Sequence, residues 1–501
     1  MRKNLHALFD KIKSKKKFSE SYRVKAFSFY SFTQGINALI NFGILSLYTK
    51  LVLPEDFGKI SLIWMFIVIV SSLMDSRLNT AFSIKFYKNS KYENTQNIYT
   101  ILIYNSLLFI IFFVLFSSVP SLFQAVLKIE LGAYESTIIL TIAILMVISN
   151  FFTNLLILRK SPQNYFLAMI LFDAILVLSS FVFLIVLKSG YISYLKSYLV
   201  SYLIVSIIGL IFIIYHYKPF LQNFISIRNL RDLLRISIPL IPDGLLLLLL
   251  AWADRYILNI YCGVAIVGTY SVGYVFASVI NNFILIPMGR ALTPHLIEQY
   301  TKSMEEYKNT IGNIFKFYWI IMSGILLIYF IILKDAYQLL IGKEYIGGYD
   351  IIGIISIGLI IGGMSSYLGF TILMNEKTGR IFLFTAITAI FNIGLNFILI
   401  PRYNIYGAAI AITLSYVLQF LMILMYSQRL VFIKYDYPYV VKSILISLCF
   451  LLSVILLSYS DMNMVVRFGI KLGLFVLFIL ISYRYLELKD SLMSIMKNVK
   501  T

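Results

Sequence analysis

Thr137-Ile-Ile-Leu-Thr-Ile-Ala-Ile-Leu-Met-Val-Ile-Ser-Asn-Phe-Phe-Thr-Asn-Leu-Leu-Ile-Leu158 runs without a charge until Arg159 and Lys160 close it. About 20 apolar residues match the hydrocarbon core of a bilayer when helical, so the stretch predicts a membrane span over 134–157. Similar runs fill most of the chain, and predict spans at 26–48, 58–76, 98–119, 164–187, 196–216, 235–259, 265–288, 312–333, 350–373, 380–400, 405–427, 440–459 and 464–486. The runs are long and continuous, unlike the short alternating segments of membrane strands. Helices also satisfy every backbone group within the segment, as hydrocarbon demands. The expected class is therefore an all-α integral membrane protein with about 14 transmembrane helices. Composition agrees: 60% hydrophobic, mean hydropathy +0.87 and 13% charged, about half the charge of an ordinary soluble domain.

An even number of spans puts both termini on one side. That side and its loops hold 32 of the 43 Lys and Arg residues, against 11 opposite. Basic residues near short loops favour the cytoplasm, so both termini are predicted there. The net charge of +20 reads as topogenic charge facing membrane lipids. It is scattered over short loops rather than gathered on a folded domain, so no nucleic-acid partner is expected. The one dense cluster, Lys11-Ile-Lys-Ser-Lys-Lys-Lys17, is expected at the membrane surface. No cleavable signal peptide is evident.

Cys262 and Cys449 are too few for a disulfide framework or metal site, and His6, His216 and His295 fall in loops or at span ends. No loop offers a Gly-rich phosphate cradle, a Ser/His/Asp set or room for an external catalytic domain. The expectation is a non-enzyme with no cofactor.

Two stretches repeat their punctuation. Pro54-Glu-Asp-Phe-Gly58-Lys-Ile-Ser61 separates the first two spans, and Gly263-Val-Ala-Ile-Val-Gly268-Thr-Tyr-Ser271 the seventh and eighth. The fourth span ends Thr153-Asn-Leu-Leu-Ile-Leu-Arg-Lys160, and the tenth Thr371-Ile-Leu-Met-Asn-Glu-Lys377. Six spans per repeat give two lobes of like orientation, as in transporters that rock about a midplane site. The expected organisation is a basic segment 1–25, a lobe 26–217, a linker 218–234, a second lobe 235–428, and two extra helices within 429–501.

The same marks carry a family resemblance. Pro242-Asp-Gly244, Ala253-Asp254-Arg255-Tyr-Ile-Leu-Asn259, Gly263, Gly268 and Tyr270 resemble the seventh-helix signature of polysaccharide repeat-unit flippases. So do Asn392-Ile-Gly-Leu-Asn396, Ile400-Pro401, Tyr403, Gly407-Ala-Ala-Ile-Ala-Ile-Thr413 and the outer-loop stretch Leu53-Pro54-Glu-Asp-Phe57-Gly58. In order over 30–430, they resemble the Wzx-type (O-antigen or capsule) branch of the multidrug/oligosaccharidyl-lipid/polysaccharide exporters. The resemblance implies a V-shaped two-lobed fold in the bacterial cytoplasmic membrane. It implies a polyprenyl-pyrophosphate-linked oligosaccharide as substrate, moved from inner to outer leaflet, with polysaccharide polymerase machinery as a downstream partner. It leaves open the sugar and the choice among O-antigen, capsule, teichoic acid and exopolysaccharide.

A glycan cannot cross hydrocarbon bare, since each unpaired hydroxyl costs roughly 2–7 kcal/mol to desolvate. A flippase therefore needs polar stripes facing a cavity. Gln34, Asn37 and Asn41 share one face of the first span; Asn150, Thr153 and Asn154 lie on the fourth. Ser271, Tyr274, Ser278 and Asn281 mark the eighth, and Thr385, Thr388, Asn392 and Asn396 the eleventh. Ordinary interhelical hydrogen bonding accounts for such residues equally well.

Intramembrane charges are sharper, costing at least about 2.5–3.5 kcal/mol each. Arg77, Arg255 and Arg290 are candidates for pyrophosphate, which guanidinium binds bidentately. Asp173, Asp243 and Asp254 are candidates for coupling H⁺ or Na⁺. The plainer alternatives are an Asp254–Arg255 ion pair, and topogenic roles for Asp75, Arg77 and Arg290. Lys471 stands about two turns inside the last span, and Pro239 with Pro242 predict a broken seventh helix beside Asp243. A multidrug/cation antiporter of the same fold would want an acidic, aromatic-lined pocket. A membrane polymerase or ligase would want a large external loop.

Overall fold

The computed structural model describes residues 29, 32–118, 127–218, 225–458, 460 and 462–485, and no strand occurs among them. The described residues of each of the fourteen expected spans fall mainly on helix. Twelve helices among the described residues are long and apolar enough to cross a membrane. One of these, Thr378–Leu430, is two helices joined end to end across a kink at Asn404 (φ 55°, ψ −131°). A further helix, over 32–51, occupies most of the first expected span. The all-α membrane class thus holds. The 11–17 basic cluster lies outside the described residues.

The chain forms two compact units, Met1–Gly268 and Thr269–Thr501. The first contains α1 (32–51), α2 (Pro54–Asp75), α3 (Leu78–Lys85), α4 (Lys91–Ser118) and α5 (Ala133–Leu158). It continues with α6 (Pro162–Phe181, prolonged by a π turn Val182–Val186), α7 (Ile192–His216), α8 (Ile227–Ser237) and α9 (Ile241–Cys262). Helix α5 is central, packing on α2, α4, α6 and α7, while α9 packs on α2. Leu78, Phe82, Ile98, Ile101, Phe151, Leu155 and Leu233 share one apolar core at the α3–α8 end.

Helix α10 (Val264–Ala277) leads into the second unit, where a π turn (Asn281–Leu285) precedes α11 (Ile286–Lys302). Then come α12 (Met304–Leu340), α13 (Ile352–Met374), α14 (Thr378–Leu430), α15 (Tyr437–Ser458) and α16 (Met464–Tyr485). Helix α13 packs along α14, and α12 carries α15 and α16.

The repeated punctuation has a structural counterpart. At the end of α5, Lys160 N–H donates to Ile157 O and Ser161 N–H to Leu156 O; at the end of α13, Glu376 N–H donates to Leu373 O and Lys377 N–H to Ile372 O. Lys160 (φ 55°) and Glu376 (φ 59°) are the left-handed residues at matching positions. The same stop is thus built twice, from Arg-Lys-Ser-Pro in one place and Asn-Glu-Lys-Thr in the other.

Two interruptions shape the bundle. The second span ends at Asp75, as expected; Ser76 (φ 47°) and Arg77 (φ 57°) are both left-handed, and a separate short helix, α3, follows. In the seventh span the break is real, but it lies at the helix start. A 3₁₀ turn, Ile238–Leu240, holds Pro239, and Pro242 sits in the first turn of α9, where its missing N–H costs nothing.

Candidate functional site

In the first unit, three of the expected polar residues converge. Asp173 of α6 is fully buried. Its Oδ1 accepts from Asn37 Nδ2 of α1 at 2.9 Å, across 136 residues of sequence. Asn37 Oδ1 in turn accepts from Asn41 Nδ2 at 2.9 Å, and Asn41 Oδ1 lies 3.5 Å from the donating Tyr198 hydroxyl of α7. Each donor points toward the carboxylate, so the chain of dipoles is polarised onto Asp173. The other carboxylate oxygen, Oδ2, is buried and has no hydrogen-bond partner among the described residues. A carboxylate so placed keeps its charge at a cost of several kcal/mol unless a proton or small cation meets that oxygen.

Aromatic rings wall the group. Phe172 lies 4.8 Å from Tyr202, Trp64 4.4 Å from Tyr198, and Tyr194 4.7 Å from Tyr198, centroid to centroid. Tyr194, Tyr198 and Tyr202 form a ladder at intervals of four on α7. The polar stripes read from the sequence do not include this ladder, although its spacing is visible there.

A second constellation surrounds the end of the second span. The Arg77 guanidinium lies flat against the backbone of Gly244, where a Cβ would sit 2.1 Å from Nη2. Its Nε is buried without a partner among the described residues. Nearby, Asn79 N–H donates to Asp75 Oδ1 at 3.4 Å, and Asn154 Nδ2 donates to Asn79 Oδ1 (2.5 Å) and Ser83 Oγ (2.9 Å). Asn154 thus ties α5 to α3, the interhelical role. Among the described residues the Thr153 side chain bonds only its own helix, at Asn150 O.

The remaining candidates scatter. Gln34 is exposed and makes no hydrogen bond among the described residues, while Asn281 is half-buried in the π turn. Asp243 is half-buried in the first turn of α9. Asp254 and Arg255 form a buried pair at 3.1 Å, and Arg255 also donates to Ala251 O and lies over Trp252. That is the plainer of the two readings for this pair. In the second unit Asn396 Nδ2 donates to Asn392 Oδ1 at 3.0 Å; both residues are buried, with Asn392 Nδ2 and Asn396 Oδ1 left unpartnered among the described residues. The Arg290 side chain lies outside the described residues. No group of three His, Cys, Asp or Glu residues able to hold a metal occurs among those described.

Comparison with known proteins gives four findings. The sequence profile of a family described as "Polysaccharide biosynthesis protein" matches residues 24–300. The chain is 26% identical, over 412 residues, to the capsular polysaccharide biosynthesis protein CapF of Staphylococcus aureus, covering 78% of this chain and 96% of that one. Its fold is similar to that of the lipid II flippase MurJ in an inward closed conformation (TM-score 0.73, 16% identity, 91% of this chain and 99% of that one). It is also similar to an inward-facing multidrug resistance MATE family transporter of the MOP superfamily (TM-score 0.65, 14% identity, 78% and 94%).

Proposed function

The chain belongs to the polysaccharide biosynthesis protein family, and from that premise we propose that it is a flippase rather than an enzyme. It carries a polyprenyl-pyrophosphate-linked oligosaccharide from the inner to the outer leaflet of a bacterial cytoplasmic membrane by alternating access, with both termini cytoplasmic. The MurJ-like fold and the capsular relative support this reading. Polymerase machinery at the outer leaflet then consumes the product.

Transport is coupled to H⁺ or Na⁺ at Asp173. The observation that carries this is the bare, buried Oδ2 at the end of the Tyr198–Asn41–Asn37 chain. One charge moved across 100 mV is worth about 2.3 kcal/mol, enough to bias a conformational equilibrium roughly fiftyfold. Arg77 meets the pyrophosphate. Its guanidinium is held flat by Gly244 and retains an unmatched Nε–H, and bidentate contact with phosphate oxygens suits it.

The test is reconstitution into vesicles with a polyprenyl-pyrophosphate oligosaccharide whose head group is probed from outside. Wild-type protein is expected to move it faster under an imposed pH or Na⁺ gradient, and Asp173→Asn to lose the gradient response. A variant that responds like wild type removes Asp173 from the coupling. The ring wall around Asp173 favours one second reading, the cation antiporter. Export of organic cations with no movement of the lipid-linked glycan would install it instead.

A further inference from the structure

The expected linker 218–234 contains an element that the transport reading does not use. Helix α8 (Ile227–Ser237) lies between the sixth and seventh spans, where the chain leaves and rejoins the apolar bundle. One face is fixed to the protein. Leu233 is fully buried in the core beside Phe82, Ile98 and Phe151, and Leu230 and Leu234 pack against that core. Ser226 caps the helix, accepting from Asn229 N–H at 3.2 Å. Two bonds pin it to α4: Ser226 N–H to Thr100 Oγ1 at 3.1 Å, and Asn229 Nδ2 to Gln96 Oε1 at 3.2 Å.

The opposite face carries Arg228, Arg231 and Arg235, at intervals of three and four, all exposed. Such spacing aligns them in one stripe. None forms an ion pair among the described residues, and the single carboxylate of the helix, Asp232, lies 3.8 Å from Lys85 instead. Other surface lysines, such as Lys59, Lys302 and Lys316, do have acidic partners. At the edges of the stripe stand three exposed isoleucines, Ile225, Ile227 and Ile238 (46%, 76% and 56% exposed).

We propose that α8 is a docking surface for anionic phospholipids of the cytoplasmic leaflet. The isoleucines enter the acyl boundary while the arginines lie at phosphate level, as on interfacial amphipathic helices. Arg228 and Arg235 are about 10 Å apart along the axis, too far for all three guanidiniums to converge on one phosphate. That spread fits a row of head groups and not a single pyrophosphate. The assignment rests on the transporter reading only for the side of the membrane, and its test does not involve transport.

The probe is the full-length chain with Cys262 and Cys449 replaced by Ser, an environment-sensitive fluorophore on Ile227→Cys, and vesicles of phosphatidylcholine containing brominated-chain phosphatidylglycerol or brominated-chain phosphatidylcholine at equal content. Brominated phosphatidylglycerol is expected to quench more strongly. The preference should fall about fivefold for each arginine replaced by Gln, be absent in R228Q/R231Q/R235Q, and survive in R228K/R231K/R235K. It should also fade toward 1 M salt, where screening acts within about 3 Å. These arginines are exposed, so the triple variant keeps its leucine face docked; an unchanged melting temperature checks this. Native mass spectrometry of phosphatidylglycerol retained by the wild-type chain and by the triple Gln variant, both with their cysteines intact, covers the case where the cysteine changes disturb folding. Equal quenching by both lipids overturns the proposal. So does a preference that persists in the triple Gln variant. A response to added polyprenyl pyrophosphate without one to phosphatidylglycerol assigns the stripe to the carrier and likewise overturns it.

Discussion

Gly244 and Gly58 show how two glycines in tight places differ in what they protect. A methyl on Gly244 meets the tip of Arg77, at 2.1 Å from Nη2, and a side chain can swing away. A methyl on Gly58 meets the Val264 carbonyl at 1.9 Å, which is backbone and cannot yield. Gly244→Ala is therefore expected to leave the melting temperature near wild type while reducing glycan transport, by displacing Arg77. Gly58→Ala is expected to lower it, at a cost of about 1–3 kcal/mol for overpacking. Melting in detergent, read beside the vesicle assay, separates the two; equal melting losses would defeat the distinction. The left-handed stop at Glu376 works in the other direction. Glycine has no Cβ penalty there, so Glu376→Gly should stabilise by up to about 1 kcal/mol, and an unchanged or lower melting temperature would refute this. At this scale the sequence is partly legible. An isolated acid in an apolar span announces Asp173, and amide spacing announces Asn37 and Asn41. Their meeting is not legible, because helical spacing says which residues share a face and not which helix that face opposes. The tyrosine ladder escapes because Tyr counts as apolar in a hydropathy reading, and its hydroxyls then vanish into the span.

Among the elements, the interruptions carry most information. Hydropathy finds the spans because the bilayer imposes a length. It cannot see that the turn after the second span is built from two left-handed residues, Ser76 and Arg77, since neither is Gly or Pro and both conformations are unusual for such residues. Nor does it detect α8, whose three leucines and two isoleucines are interspersed with charges. Helices α12 and α16 offer a separate test. Arg467 Nη2 of α16 meets Asp335 Oδ1 of α12 at 2.6 Å, Lys334 donates to the Ser458 carbonyl, and fully buried Lys471 has Ile331 O at 3.4 Å. Asp335 is the carboxylate paired with Arg467, so Asp335→Asn leaves that guanidinium largely sheltered and unmatched. The pair is slightly exposed, so the expected loss is toward the lower end of about 3–5 kcal/mol. Replacing Lys471 by Met, which removes a buried charge and keeps the volume, should cost less than about 1.5 kcal/mol. Melting curves of the two variants check the order, and a costlier Lys471→Met would reverse the assignment of which charge matters.

For the whole molecule, class and span positions follow from the sequence because composition and run length suffice for them. Where the sequence repeats its punctuation, the stops at Lys160 and Glu376 share one geometry. The grouping into compact units depends on lateral packing, which runs of apolar residues do not encode: α9 falls with the first unit because it lies on α2. Helices α15 and α16 pack on α12 and on each other. That arrangement has a bearing on biogenesis. The ribosome makes these two helices after the spans they rest on, at about 5–20 residues per second, so for several seconds those spans occupy the bilayer without them. A chain stopped after Leu430 is therefore expected to insert and resist proteolysis much as the 501-residue chain does, with the pair as a late-arriving rider on the helices before it.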